Sequence, residues 1–136
     1  MTNKTKASAI PLICVVDDDA SVADSTRYLI HSFGFQSKAF ASAHEFLGSP
    51  YIEEVACLIL DIRMPEMDGL ELQHHLAETS KRVPIVFVTA HANDNEVKRA
   101  LQRGAVAVLR KPVSEDLLLN AIQAALSRDT DTAQAL

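Results

Sequence analysis

With 136 residues, the chain is long enough for one domain with a real core and short for two. Hydrophobic residues make up 48% and charged residues 23%, a composition that excludes a disordered tail. The 13 basic and 18 acidic residues give a formal net charge of -5, a poor match for direct nucleic-acid binding, where phosphate contacts dominate affinity.

The start, MTNKTKASAIP (residues 1–11), lacks an adequate apolar stretch before a cleavage site, so export is not expected and the segment reads as a flexible arm. LICVV (12–16) is a continuous apolar run suited to a parallel strand buried on both faces. Val22, Thr26, Leu29, Ile30 and Phe33 form a helical stripe stopped by Gly34. FQSKAF (35–40) is more polar and predicts an edge strand. ASAHEFL follows as a short helix with Ser42 as its cap. CLILD (57–61) is the third strand, and Leu70, Leu72 and Leu76 mark the next helix. IVFVT (85–89) is the fourth strand, followed by a helix through Val97, Ala100 and Leu101 that ends at Gly104. AVAVL (105–109) is the fifth strand, and Leu117, Leu118, Ala121, Ile122, Ala125 and Leu126 carry the last helix. RDTDTAQAL (128–136) reads as a frayed tail.

Strand and helix thus alternate five times, which predicts one α/β domain with a parallel sheet over residues 12–127. Right-handed crossovers put all the strand carboxyl ends on one edge. No apolar run approaches the roughly 20 residues that span a membrane, so a cytoplasmic location is expected. Cys14 and Cys57 sit inside apolar runs at no metal-like spacing and read as buried, reduced core residues. His74 and His75 are neighbours on a helix, pointing about 100° apart, and do not make a chelate. His31 and His44 have no obvious partner in the sequence.

The polar residues collect at that one edge. Asp17, Asp18 and Asp19 follow the first strand, Asp61 ends the third, Thr89 ends the fourth and Lys111 follows the fifth. Each alone has an ordinary structural explanation: a helix cap, a core threonine, a solvated lysine. Together they have a shared chemistry. Clustered carboxylates repel one another and need a cation, and oxygen-only ligands suit Mg²⁺. Cation, ammonium and hydroxyl are what a transferring phosphoryl group requires, and a carboxylate can be its acceptor.

In order and spacing, VVDDDASV, LILDIRMPEMDGLEL, IVFVTAH and GAVAVLRKPV resemble the receiver domain of two-component response regulators. The likeness covers about residues 12 to 126. FASAHEFL further resembles receivers attached to helix-turn-helix transcription outputs. The resemblance implies a doubly wound, flavodoxin-like sheet with strand order 2-1-3-4-5. It implies that Asp61 accepts a phosphoryl group from a sensor histidine kinase or phosphotransfer protein. It also implies Mg²⁺, with Mn²⁺ as a substitute, held by Asp18, Asp61 and the backbone carbonyl of Arg63, with Asp17 in the acidic pocket. Thr89 and Lys111 would bind phosphate oxygens, Pro112 would follow a cis bond, and Arg63 and His91 would tune phosphate lifetime. The expected response runs through the face of the fourth helix, fifth strand and fifth helix to a downstream output domain or protein, with a homodimer on phosphorylation. One position departs from the family: Val108 stands where resembling receivers carry a switching aromatic. The rival reading is a haloacid dehalogenase-type phosphohydrolase using Asp17 as nucleophile. It leaves LDIRMPEMDG unexplained and has no room for a cap domain.

Overall fold

Side chains alternate across β1 (Leu12–Val16), so Leu12, Cys14 and Val16 join the core on one face of the sheet while Ile13 and Val15 join the core on the other. The computed structural model describes residues 10–79 and 82–135. Five parallel strands, β1, β2 (Gln36–Phe40), β3 (Cys57–Leu60), β4 (Ile85–Thr89) and β5 (Ala107–Arg110), pair in the order β2-β1-β3-β4-β5. Helices α2 (Ala43–Leu47), α3 (Gly69–Ala77) and α4 (Asp94–Gln102) cover the Leu12 face. Helices α1 (Ala20–Ser32) and α5 (Glu115–Ala135) cover the Ile13 face. Covering both faces is what continuous apolar strands demand, and β2, the more polar strand, takes an edge as predicted. No helix among the described residues is long and apolar enough to cross a membrane.

The helix ends carry the expected signals. Asp19 caps α1 by accepting from the Ser21 and Val22 N–H groups, and Ser42 caps α2 through the Glu45 N–H. Gly34 and Gly104 follow α1 and α4 with φ of 97° and 101°, a left-handed conformation that glycine adopts without a Cβ penalty. Cys14 and Cys57 are free, buried and on opposite faces of the sheet.

Some boundaries differ from the sequence reading. β2 starts at Gln36 because the Phe35 N–H closes the end of α1 on the Ile30 carbonyl. β5 starts at Ala107 because the Ala105 N–H is taken by Ala100 at the end of α4. Leu117, placed on the buried stripe, is 54% exposed. The last helix runs through Ala135, across the segment read as a frayed tail, where neither Gly nor Pro stops it. A short 3₁₀ turn at Pro50–Glu53 was not anticipated. Residues 1–9 of the arm lie outside the described residues. Its last two are tied down, with the Ile10 and Pro11 carbonyls accepting from the Gln36 side chain and N–H.

Candidate functional site

Backbone hydrogen bonds carry the sheet one residue past two strand ends. The Asp17 N–H donates to the Phe40 carbonyl and the Asp61 N–H to the Val16 carbonyl, each at 3.1 Å. Both carboxylates are therefore fixed by the sheet and not by flexible loops, at the carboxyl edge where open α/β sheets build sites. Asp17 and Asp61 are 5% and 7% exposed, whereas Asp18 is open to solvent. Lys111 enters from β5, its N–H on the Thr89 carbonyl at 2.9 Å, and the Lys111–Pro112 peptide is cis.

The Lys111 ammonium bridges the two buried carboxylates, donating to Asp17 Oδ2 at 2.8 Å and Asp61 Oδ2 at 3.2 Å. The remaining oxygens accept from backbone: Asp17 Oδ1 from the Asp19 N–H at 2.9 Å, Asp61 Oδ1 from the Arg63 N–H at 3.3 Å. Burial pushes the Asp61 carboxyl above its ordinary pKa; Lys111 pulls it back and repulsion from Asp17 adds to the rise. For Lys111, burial opposes the charge, but the bonds to Asp17 and Asp61 outweigh it and hold the ammonium above its usual value.

Asp17, Asp18 and Asp61 each offer a carboxylate oxygen, all within 4.8 Å of one another. Three carboxylates against one ammonium leave excess negative charge on hard oxygen donors, a set that fits a divalent cation such as Mg²⁺. Thr89, at the end of the neighbouring strand, is fully buried, and its Oγ1 has no hydrogen-bond partner among the described residues. An orphaned buried hydroxyl is costly and unusual, and it stands at the same edge. Val108 is half-buried and paired with Phe87, on the same face of the sheet as Thr89.

Arg63 and His91 occupy the rim. The Arg63 guanidinium donates to the His91 carbonyl at 3.0 Å and to Glu96 Oε1 at 2.7 Å, joining the loop after β3 to the loop after β4. Glu96 was missed in the sequence. Its N-x-x-E spacing from Asn93 was a legible capping box, but a partner 33 residues away was not. His31, His44, His74 and His75 are exposed, and His74 makes only a surface pair with Glu78 at 3.4 Å.

The model of the response regulator receiver domain matches residues 13–123. The chain belongs to the response regulator receiver domain family. It is 39% identical over 131 residues to nodulation protein W of Bradyrhizobium diazoefficiens, covering 96% of this chain and 58% of that protein. It is 41% identical over 115 residues to response regulator protein TmoT of Ectopseudomonas mendocina, covering 85% of this chain and 52% of that protein. The structure of response regulator StyR superimposes with a TM-score of 0.84 at 43% identity, over 93% of this chain and 64% of that one. The receiver domain thus spans little more than half the length of these two curated relatives. Phosphorylation-based signalling is the general function of receiver domains, which use Mg²⁺ at an acidic site. The fold and family do not favour the phosphohydrolase alternative.

Proposed function

We propose that Asp61 is the phosphoacceptor of a two-component signalling protein. The observation that supports this best is the convergence of a lysine-bridged, buried Asp61 with the unpartnered hydroxyl of Thr89 at one sheet edge. An Asp61 oxygen attacks the phosphorus of a phosphohistidine, the P–N bond breaks, and the imidazole leaves. The product is an acyl phosphate. Lys111 and Thr89 then have new acceptors in the phosphoryl oxygens: one is the ammonium that bridges Asp17 and Asp61, the other a hydroxyl that lacks a partner among the described residues. Water later attacks phosphorus, the bond to Asp61 breaks, and inorganic phosphate departs. The domain is on this reading a phosphoacceptor that also takes phosphate from small donors and loses it by itself, and not a dedicated enzyme.

Asp18, Asp61 and the Arg63 carbonyl would hold Mg²⁺ or Mn²⁺, with Asp17 completing the acidic pocket. The ion supplies neutralisation of the charge that develops on the phosphoryl oxygens. The donor is a sensor histidine kinase or phosphotransfer protein in the cytoplasm. The receiver, residues 12–127, would govern a downstream output domain or protein. A transcription-regulating output is favoured by relatives such as transcriptional regulatory protein TdiR of Thauera aromatica. Intact-mass measurement with acetyl phosphate and Mg²⁺ tests the reading: one phosphate adduct is expected, absent in Asp61→Asn and absent without metal. Wild-type uptake by Asp61→Asn would overturn it. Asp18→Ala should weaken metal binding by removing one of two side-chain ligands.

A further inference from the structure

Arg63 leaves the chain beside the acceptor, with its N–H on Asp61 Oδ1, yet its guanidinium is turned away to the His91 carbonyl and the Glu96 carboxylate. The two partners are unequal. The Glu96 side chain is 14% exposed and that of Arg63 56% exposed, so the carboxylate is the fixed half of the pair. Its Oε1 also accepts from the Asn93 N–H at 3.1 Å, and the Glu96 N–H donates to Asn93 Oδ1 at 2.8 Å. The first turn of α4 therefore anchors Glu96, and Glu96 anchors Arg63.

We propose that Glu96 is a positioning residue that holds Arg63 off Asp61 and thereby shortens the life of a phosphoryl group there. The inference rests on the reading of Asp61 as acceptor. A phosphoryl group brings close to two negative charges next to the stem of Arg63, and a guanidinium pairs with such oxygens in a bidentate fashion. Glu96 competes for the same cation. While Glu96 keeps it, the phosphorus stays open to an in-line water. Without the Glu96 charge, the guanidinium turns to the phosphoryl oxygens and screens that approach.

The test is the half-life of the phosphorylated domain after removal of donor, followed by intact mass. Glu96→Gln keeps an acceptor for the capping box and removes the charge. It should lengthen the half-life about 1.5- to fivefold, the size of one solvent-exposed ionic contact read as a rate. In an Arg63→Ala background the same substitution should change nothing. Asn93→Ala, which weakens the cap and leaves the ion pair, should lower the melting temperature while the half-life stays at its wild-type value. An unchanged half-life in Glu96→Gln, or a lengthening that persists without Arg63, overturns the proposal while leaving Asp61 as acceptor. Failure of the wild-type domain to take any phosphate on Asp61 overturns both.

Discussion

Gly69 lies hard against the carbonyl of Asp61: a Cβ there would overlap the carbonyl oxygen and stand 2.9 Å from the Ile62 Cα. The Gly69 N–H also donates to the Ile62 carbonyl at 2.9 Å, so α3 begins in contact with the strand end that carries the acceptor. The obstruction is backbone and cannot yield as a flexible side chain would. Gly69→Ala should therefore cost about 1–3 kcal/mol in urea unfolding, as overpacking does, and displace Asp61 enough to slow phosphate uptake. Wild-type stability together with wild-type uptake would show that the loop has room after all.

Asp61 is held above its ordinary carboxylate pKa chiefly by burial, so the folded protein binds that proton more tightly than the unfolded chain. Stability then falls as pH rises from near 4 through the raised value, and at neutral pH the ionised group is a net cost. In EDTA at pH 7, Asp61→Asn should melt a few degrees higher than wild type, with the gain shrinking towards pH 4. Mg²⁺ should stabilise the wild type and narrow the gap, because it binds only the folded site. A lower melting temperature for Asp61→Asn in EDTA would refute this account.

Lys111 touches both buried carboxylates, at 2.8 and 3.2 Å, with 17% of its side chain exposed. Lys111→Met leaves two desolvated charges unpaired and should cost about 1–3 kcal/mol without metal, less than a fully buried pair because solvent screens it in part. The same change removes a positive charge from the metal pocket. Calorimetry should show tighter Mg²⁺ binding, and added Mg²⁺ should recover part of the lost stability.

Burial pushes the thiols of Cys14 and Cys57 up to about 12 from 9.0. Below about 9 both are protonated in both states and contribute no pH dependence; above it the unfolded chain releases protons that the folded protein keeps. Stability should fall from about pH 9 upward, and the Lys111 bridge is lost in the same direction. Urea midpoints at pH 7.5 and 10 should separate less in a Cys14→Ala/Cys57→Ala variant. Native protein at pH 8 should resist thiol reagents until it is unfolded.

The resemblance implies an aromatic where this chain has Val108, and we propose that this position bears on signalling. Valine is too small to fill space vacated by a moving Thr89, and it cannot hydrogen-bond. The response should be carried by residues 91–95 and by the face of Val97, Leu101 and Val108, where Leu101 is 47% exposed. Amide shifts with a beryllofluoride phosphate mimic measure this. Silence across residues 97–109 would move the output surface elsewhere. Sedimentation under the same conditions should show stronger dimerisation.

The sequence by itself determined the alternation of strands and helices, the caps at Asp19 and Ser42, the stops at Gly34 and Gly104, and the residues at four strand ends. These are local properties: periodicity sets which face a side chain takes, and capping needs only neighbours within four residues. The family likeness supplied the strand order and the site roles, which periodicity alone does not contain. Tertiary structure decided what depends on distant partners. Gly69 sits in MPEMDG, among residue types common in turns, but its φ is not positive and its need for no Cβ comes from the Asp61 carbonyl packed on it. The positive φ of that turn falls on Glu66, at 65°. Leu117 sat on the predicted apolar stripe and lies in solvent because α5 presents a narrower face to the sheet than the pattern suggested. Glu96 stands three residues after Asn93 as a local capping box, and only the approach of Arg63 from the loop after β3 makes it part of the site rim. A contact between residues 33 apart in the chain follows from how the sheet brings its strand ends together, and no local pattern in the chain encodes it.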